Sequence, residues 1–483
     1  MTKKAVIVWF RNDLRIKDNP ALTHAALSGA PIIPLYILDE SKAYHLGSAS
    51  KWWLHHSIRA LNSSLKKAGA YLHIRRGDSA SILQSLIAET DADEVYWNRR
   101  YVQEYIEEDT DIKATLQQAG IEVTTFNGSL LKEPWELKTG SGTPYRVFTP
   151  FWKALRRTGP RRVPLPAPKK INAATPPPCE LLSNWSLTPT NPDWAKHFHE
   201  EWKPGEKTAL FLLERFLKKP VETYDEDRNR PNLEGTSRLS PHLAFGEISP
   251  VQIWQFVQDK IALSQINASQ ADKFLSELAW RDFSYSLLYY NPTLPSEPLK
   301  PQFFNYPWTD DQEGFDKWKK GATGYPIVDA GMRQLWKTGW MHNRVRMIVA
   351  SFLIKDLLIP WKLGAEWFWD TLVDADIANN SASWQWVAGS GADASPYFRI
   401  FNPVTQSQKF DPNGDYLRMY LPELKNMPAK YIHEPWKASE EVLTKAGVIL
   451  GKTYPKPILD HAEARRRALE GYKHMNAISA VNA

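Results

Sequence analysis

Short apolar runs alternate with amphipathic stretches over the first third of the chain, and this alternation restricts the possible folds more than any other feature. The runs are rich in β-branched and aromatic residues, with helical stretches such as residues 50–68 and 79–90 between them. They predict strands at residues 5–10, 31–38, 71–75, 94–98 and 121–126. Apolar strands separated by helices form a parallel sheet covered on both faces. The sequence therefore predicts a doubly wound, Rossmann-like α/β domain over residues 1–135, with any ligand at the carboxyl ends of its strands.

The composition is that of a folded globular protein. Hydrophobic residues make up 43% and charged residues 24% of the 483 residues, which excludes a disordered chain. No run reaches the roughly 18 apolar residues of a membrane span, so no membrane association is expected. The single cysteine, Cys179, excludes an internal disulfide and a cysteine-cluster metal site, so we expect no metal and a cytoplasmic location. The net charge of +6 permits a polyanionic partner without requiring one.

A linking region is expected at residues 136–205. Seven prolines lie between positions 160 and 178, where they disfavour both helix and sheet, and we interpret residues 160–204 as a surface connector. Residues 151–170 contain no acid and seven basic side chains, namely Lys153, Arg156, Arg157, Arg161, Arg162, Lys169 and Lys170. These are either a solvated basic face or a surface that contacts phosphates.

Residues 206–483 are expected to form an all-helical domain. Apolar residues recur there at three- and four-residue spacing, and no convincing strand is present. The amphipathic windows lie at residues 206–218, 249–263, 270–290, 332–359, 365–373 and 377–388.

Two segments of this helical region could carry chemistry. Residues 234–240 (EGTSRLS) place hydroxyls around a glycine before a helix, which is either an anion site or an ordinary helix cap. In residues 339–347 (GWMHNRVRM), Asn343 and Met347 would share one helical face, with Arg346 beside it. A core helix with surface arginines is the simpler interpretation of the second segment.

A third segment, residues 378–386 (ANNSASWQW), carries two tryptophans. Trp384 and Trp386 are two positions apart on the predicted helix and point in nearly opposite directions. One ring could therefore face an interior ligand while the other lines an opening, although packing alone is the commoner use of such residues.

Six motifs in order resemble the photolyase/cryptochrome flavoprotein family. The resemblance covers the chain from residue 5 to about residue 465 and is greatest to the bacterial cyclobutane pyrimidine dimer photolyases. The motifs lie at residues 9–15 (WFRNDLR), 234–240, 324–330 (GYPIVDA), 339–347, 374–386 and 397–403 (YFRIFNP).

The resemblance implies an α/β antenna domain and an all-α domain that binds FAD in a folded conformation. Asn380 would face flavin N5. The residues implied in cofactor binding are Tyr224, Thr236, Ser237, Arg238, Leu239, Ser240, Glu277, Arg281, Asn343, Arg346, Asp374, Asp376 and Asn380. Those implied in binding the DNA lesion are Arg228, Glu277, Trp280, Asn343, Arg344, Met347 and Trp386.

The implied activity is the light-driven splitting of cyclobutane pyrimidine dimers in UV-damaged DNA, a carbon–carbon lyase reaction. A reduced flavin would supply the electron, and the dimer would be flipped out of the duplex. The implied catalytic residues are Glu277, Asn343, Met347 and Asn380, and the implied electron-transfer chain is Trp384, Trp361 and Trp308. A monomer is expected.

Three other functions are compatible with parts of the pattern. A signalling cryptochrome is disfavoured because plant cryptochromes carry Asp where this chain has Asn380, and because the chain ends soon after the last family-like segment. A (6-4) photolyase would place histidines where Asn343 and Met347 stand. An electron-transfer flavoprotein without DNA would not need the residues of the dimer pocket.

The antenna pigment stays open between methenyltetrahydrofolate, a deazaflavin and no pigment. Residues 98–105 lie where related enzymes hold a folate. The Asn-Glu pair that some of them use is not matched, because this chain has Glu104 and Tyr105.

Overall fold

The N-terminal part of the chain forms a five-stranded parallel sheet. The computed structural model describes residues 3–175, 177–393 and 398–481. The strand order is β3-β2-β1-β4-β5. The strands are β1 (Val6–Phe10), β2 (Ile32–Leu38), β3 (His73–Arg76), β4 (Glu94–Asn98) and β5 (Glu122–Phe126). Each observed strand overlaps a predicted one, and the predicted doubly wound α/β fold is confirmed.

The strand order reverses at β1, which pairs with β2 on one side and with β4 on the other. Val6 lies opposite Ile32 in β2 and opposite Glu94 in β4. All five β1 residues are buried, and the rings of Trp9 and Trp97 meet edge to face at 5.7 Å. The carboxyl ends of β1 and β4 therefore meet at the topological switch point, where ligands of such sheets bind.

Helices form most of the remainder. From the amino terminus they are α1 (Pro20–Ser28), α2 (Ser48–Lys67), α3 (Ser79–Thr90), α4 (Gln103–Gln118), α5 (Phe148–Thr158), α6 (Phe198–Glu201), α7 (Glu206–Lys218), α8 (Tyr224–Asp227), α9 (Ser240–Ala244), α10 (Pro250–Ala262) and α11 (Ala268–Tyr290). They continue as α12 (Gln312–Lys320), α13 (Pro326–Thr338), α14 (Asn343–Ser351), α15 (Trp361–Thr371), α16 (Ile377–Ala388), α17 (Pro403–Phe410), α18 (Asp415–Tyr420), α19 (Ala429–Ile432), α20 (Glu440–Ala446) and α21 (His461–Val481). The all-helical prediction for this part is confirmed.

The single helical window predicted at residues 332–359 was wrong, because the chain breaks there. Gly339 ends α13 in the left-handed region, with φ of +66°, which glycine adopts without steric cost. His342 then caps α14, its side chain accepting a hydrogen bond from the backbone N–H of Arg344. A π-helical turn at Phe352–Asp356 follows α14. Apolar spacing continues across the break, so periodicity alone did not reveal it.

The predicted connector contains one substantial helix, α5, which packs against α11. Beyond α5 the chain is mostly irregular, but it is not wholly on the surface. Ile171 and Trp185 are buried, and residue Ala173 forms a parallel bridge with Ile32 at the start of β2. Part of the proline-rich segment therefore belongs to the core of the α/β domain.

The chain divides into two compact units. The first comprises Met1–Glu222, Ser237–Pro292 and Val373–Ala378. The second comprises Thr223–Thr236, Thr293–Leu372 and Asn379–Ala483. The three-segment division predicted at residues 135 and 205 stays a prediction. Across the described parts of the chain, no helix is long and apolar enough to span a membrane.

Candidate active site

Helix α11 carries three of the predicted site residues on one face of the first unit. Its start is fixed by Asn267, whose side chain accepts hydrogen bonds from the first-turn backbone N–H groups. Glu277, Trp280 and Arg281 are then spaced by three and four residues, so they share a face. The Glu277 carboxylate lies 3.7 Å from the Lys273 ammonium, and all three side chains are only partly buried. The face is therefore open to a ligand.

A polar contact joins this helix to the segment that carries the predicted aspartates. Tyr285, one turn after Arg281, donates a hydrogen bond of 2.5 Å from its hydroxyl to Oδ2 of Asp376. The Arg281 guanidinium lies over the Tyr285 ring at 5.0 Å and donates to the carbonyl of Ser129. Burial, and then the Asp376 carboxylate, raise the pKa of Tyr285 well above its usual value. Tyr285 therefore stays a donor and fixes Asp376, a role for which the sequence pattern offered no signal.

Asp282, which is buried, is another residue of α11 that the sequence did not single out. Its Oδ2 accepts hydrogen bonds from the backbone N–H groups of Leu131 and Lys132, at 2.7 and 3.1 Å. Burial raises the pKa of this carboxyl to about 7, although the nearby Arg281 opposes the shift. Asp282 thus ties the loop after β5 to the helix that carries Glu277 and Trp280.

Trp280 is backed by a residue from the predicted connector. The Phe148 ring lies flat against the Trp280 ring, with centroids 3.7 Å apart and an interplanar angle of 9°. Phe283 meets both rings edge to face, at 5.8 Å from Phe148 and 5.6 Å from Trp280. The indole is therefore held by α5 as well as by its own helix.

The segment before α9 is tightly turned. Arg238 has a φ of +57°, and its guanidinium binds Glu201 at 3.0 Å and lies over the Trp202 ring at 4.3 Å. Leu239 is buried, whereas Ser237 and Ser240 are accessible. A ligand could therefore reach the two serines, whereas the Arg238 side chain is engaged by Glu201 and Trp202.

In the second unit, a short loop leads to Thr236. Gly235 packs so closely that a Cβ there would lie 2.5 Å from the carbonyl oxygen of Asp227, so the turn requires glycine. The ring of Tyr224 is buried, with the Arg228 guanidinium over it at 5.5 Å. These contacts fix the backbone from which Thr236 and Arg228 extend.

Helix α14 presents the residues of the 339–347 motif. Arg344 donates to the side-chain oxygen of Asn229 at 2.5 Å and lies over the Phe410 ring at 4.4 Å. Arg346 donates from Nε to the carbonyl of Met341 at 2.7 Å. Asn343 is exposed at the start of the helix and Met347 is half-buried one turn later. Asn343 and Met347 therefore lie on one face of a helix, α14, as predicted.

Asn380 and Trp384 on α16 both contact α15. The Asn380 amide nitrogen donates to the carbonyl of Ala365 at 3.0 Å. The Trp384 ring lies against Gly364, where a Cβ would come within 2.6 Å of its Cζ3 atom. Trp361 is buried on the same face of α15, three residues before Gly364. Helix α15, which begins at Trp361, therefore provides the surface on which the Trp384 indole packs.

The predicted chain of three tryptophans is only partly visible in ring contacts. Trp384 has ring contacts with Phe368 at 5.0 Å and with Trp318 at 6.4 Å. Trp308 is partly exposed and lies 4.6 Å from the ring of Tyr306. A buried inner indole and a partly exposed outer one suit an electron path to the surface, and the order along that path stays a prediction.

Two family models match most of the chain. Residues 6–169 match the model described as DNA photolyase, and residues 274–474 match the FAD binding domain of DNA photolyase. The deoxyribodipyrimidine photo-lyase of Agrobacterium fabrum is 53% identical over 469 residues, which cover 97% of each protein. The chain belongs to the photolyase and cryptochrome family. The predicted family and the predicted FAD-binding domain are thereby confirmed.

Solved structures of the family agree. A bacterial class III photolyase from Agrobacterium tumefaciens superposes with a TM-score of 0.96 at 51% identity, covering 99% of this chain and 98% of that one. A cryptochrome from Synechocystis gives a TM-score of 0.88 at 32% identity, covering 97% and 99%. The predicted two-part fold of the photolyase family is confirmed. The roles of individual residues stay predictions, and Tyr397 of the last motif lies outside the described residues.

The residues of the predicted antenna segment, 98–105, bind other loops of the first unit. Arg99 forms a two-point contact with Glu133, at 2.7 and 3.0 Å, and the Tyr105 hydroxyl donates to the carbonyl of Tyr44 at 3.0 Å. Glu104 accepts a hydrogen bond from the backbone N–H of Ala43. An antenna pigment, methenyltetrahydrofolate or a deazaflavin, stays a prediction.

Several cations of the basic segment are neutralised within the first unit. Arg156 pairs with Asp272 at 2.7 Å and Arg161 pairs with Glu136 at 2.9 Å. Arg162 pairs with the buried carboxylate of Asp18. Only the Arg162 pair is largely buried; the Arg156 and Arg161 side chains are 61% and 76% exposed, so phosphates could still reach them.

Proposed function

We propose that this photolyase-family chain repairs cyclobutane pyrimidine dimers in DNA with light, as a deoxyribodipyrimidine photo-lyase. The 53% identity to the Agrobacterium fabrum enzyme of that name, over 97% of both proteins, carries the proposal. Identity to cryptochrome-1 of Arabidopsis thaliana is lower, at 37%, and covers 71% of that protein. A role as a blue-light photoreceptor is therefore the weaker alternative.

The donor set fits FAD. Hydroxyls of Thr236, Ser237 and Ser240 can bind phosphate oxygens and ribityl hydroxyls, while the carboxylates of Asp374 and Asp376 can accept from ribose or ring N–H groups. The amide oxygen of Asn232 is buried and has no hydrogen-bond partner among the described residues, although buried polar groups are normally satisfied. A ligand rich in hydroxyl and N–H donors, as FAD is, would satisfy it.

When bound, FAD supplies the light-excited electron donor. The chain holds it and sets the charge around it. Arg281 and Arg346 supply positive charge, which favours a negatively charged group in a partly dry site. Because the Asn380 nitrogen is engaged by Ala365, its Oδ1 is the atom left to accept a hydrogen bond from flavin N5. Tyr285 keeps Asp376 in place.

Aromatic and charged side chains, most of them on α11, α14 and α16, would recognise the substrate. Trp280 and Trp386 offer apolar walls to a flipped dimer, whose extrusion costs less than that of an intact base because it is already poorly stacked. Glu277 can hydrogen-bond to the base edges, and Asn343 and Met347 are also proposed to contact the dimer. Arg228 and Arg344 would meet the phosphates that flank the lesion and give salt-dependent affinity.

The tryptophans serve a separate step, the reduction of oxidised FAD. Trp384 would pass an electron to the flavin and be refilled from Trp361 and then from Trp308, whose partial exposure permits reduction by solvent donors. Repair itself would need only the electron that reduced FAD would supply, and not the three tryptophans. The two steps can therefore be separated by mutation.

We also propose an assembly state and a location. We infer a monomer that acts on DNA in the cytoplasm and binds methenyltetrahydrofolate or a deazaflavin if it carries a second pigment. Light scattering coupled to size-exclusion chromatography should give the mass of one 55.4 kDa chain.

The proposal is tested on the purified protein in two measurements. Heat release followed by chromatography should yield stoichiometric, non-covalent FAD. Blue light should then remove thymine dimers from a short oligonucleotide, with a dark sample as control. Bound FAD without light-dependent repair would overturn the enzyme and favour the photoreceptor, whereas protein that takes up no FAD would overturn both.

A further inference from the structure

The closest aromatic stack at the candidate site joins two elements that are far apart in the sequence. Phe148 opens α5, and Trp280 lies in the middle of α11. Their rings are 3.7 Å apart and almost parallel, at 9°. Phe148 is 8% exposed, while Trp280 is only partly buried. The Phe148 ring is thus buried, whereas the Trp280 ring extends toward solvent.

The stacked pair packs against a buried aromatic cluster. Phe283, fully buried, meets Phe148 and Trp280 edge to face, and it also contacts Phe151 at 5.2 Å. Edge-to-face and offset stacked rings attract each other beyond their buried area. Because Phe148 and Phe151 are three residues apart on α5, one face of that helix holds the whole cluster.

This arrangement limits what the Trp280 indole can do. An indole has two faces, and Phe148 covers one of them, so a flipped base can stack only on the other. To reach a different rotamer, Trp280 would have to leave the Phe148 ring. The contact therefore selects one ring orientation before any ligand arrives, which lowers the entropic cost of binding.

We propose that Phe148 is a positioning residue for the lesion pocket: it holds the Trp280 ring in the orientation that stacks on the flipped dimer. The inference rests on the proposed function, because it takes Trp280 as a wall of the dimer pocket. It also gives α5, which lies in the predicted connector, a part in recognising damage. If the contact is packing only, its loss should lower stability without changing the preference for damaged DNA.

The test compares three variants of the full-length, FAD-loaded protein. Phe148→Leu removes the stacked ring and keeps an apolar side chain, and Phe148→Tyr keeps the ring. Phe216→Leu is the packing control, since Phe216 is buried and its ring lies 4.6 Å from Phe274 on the same helix α11. Thermal unfolding and FAD content show that each variant is folded.

Two readouts are needed. Dissociation constants are measured for matched oligonucleotides with and without a thymine dimer. Ring position is followed by ¹⁹F NMR of 5-fluorotryptophan-labelled protein without DNA, with the Trp280 line assigned by its loss in Trp280→Phe.

Phe148→Leu should weaken binding of dimer DNA about threefold to tenfold, the range expected for one aromatic pair. It should leave binding of intact DNA unchanged and shift or broaden the Trp280 line. Phe148→Tyr should retain both the affinity and the line, and Phe216→Leu should change neither.

Unchanged dimer affinity in folded Phe148→Leu, with a wild-type protein that prefers dimer DNA, would overturn the positioning role and leave the proposed function standing. Equal affinities of Trp280→Ala and wild type for dimer DNA would overturn it as well, since there would be no stacking to position. A wild-type protein that does not distinguish damaged from intact DNA would instead refute the proposed function, and the inference with it.

Discussion

The Trp384 indole lies directly against Gly364, one turn after Trp361 on α15. A Cβ at position 364 would come within 2.6 Å of Cζ3 of Trp384 and within 2.6 Å of Cδ2 of Leu353. No side chain larger than hydrogen fits there without displacing the ring. The glycine therefore sets how closely Trp384 approaches the helix that carries Trp361.

Gly364→Ala should slow the photoreduction of oxidised FAD. The added methyl displaces the Trp384 ring, and overpacking of this kind costs about 1–3 kcal/mol of stability. Alanine otherwise stabilises a helix by about 1 kcal/mol relative to glycine. A variant that is less stable than the wild type would therefore show that the methyl group clashes with the ring. The rate is followed by flavin absorbance under blue light with an external reductant. Gly140→Ala, where no atom lies within 4 Å, is the control, and equal photoreduction rates in both variants would contradict the expectation.

Trp386→Ala should weaken binding of dimer-containing DNA by about 1–3 kcal/mol, the usual value of one base–aromatic stack. Binding of intact DNA and FAD content should be retained, because phosphates supply the nonspecific affinity. Trp336→Ala removes an indole that is 55% exposed and outside the predicted pocket, so it should leave both affinities unchanged. An equal loss on damaged and intact DNA would show that Trp386 does not contact the lesion.

Asp282→Asn should change how stability depends on pH. Burial raises the pKa of the Asp282 carboxyl to about 7 in the folded protein, against about 3.9 in an unfolded chain. Between those values the folded state holds a proton that the unfolded state lacks, so the contribution of Asp282 to stability is lost as pH rises from 4 to 7. The amide carries no such proton, and it can still accept from Leu131 and Lys132.

The unfolding free energy of the wild type minus that of Asp282→Asn should therefore decrease as pH rises, by no more than about 1.4 kcal/mol per pH unit. Urea unfolding at pH 5, 6, 7 and 8 measures it. Gln118→Asn, at an exposed position where neither side chain titrates, should show no trend. A pH-independent difference for Asp282→Asn would mean that the carboxyl is ionised throughout this range.

The sheet could be predicted because its strands are buried on both faces. Every residue of β1 and β2 is buried, so each reads as a continuous apolar run, which distinguishes it from the amphipathic helices around it. The break at Gly339 was missed for the opposite reason. Apolar residues recur on both sides of it, with Leu335 and Trp336 before and Trp340 and Met341 after, and a single glycine within a helical pattern does not by itself end a helix.

The contacts of the site could not be predicted from the sequence because they join segments that are far apart along the chain. Phe148 and Trp280 are 132 positions apart, and Tyr285 and Asp376 are 91 positions apart. The motifs indicated which residues would meet a ligand, but a positioning residue such as Phe148 or Tyr285 has no local pattern. Only the packing of α5 on α11 brings the Phe148 ring onto Trp280.

The central claim is that light drives dimer repair through a reduced flavin, with Trp384 needed only to reduce it. Trp384→Phe and wild type are each assayed with oxidised and with chemically reduced FAD, in blue light and in the dark, for loss of thymine dimers from an oligonucleotide. We expect both reduced proteins to repair in light, only the wild type to repair from the oxidised state, and no repair in the dark. The account is contradicted if reduced wild type binds dimers without splitting them in light, or if oxidised Trp384→Phe photoreduces and repairs at the wild-type rate.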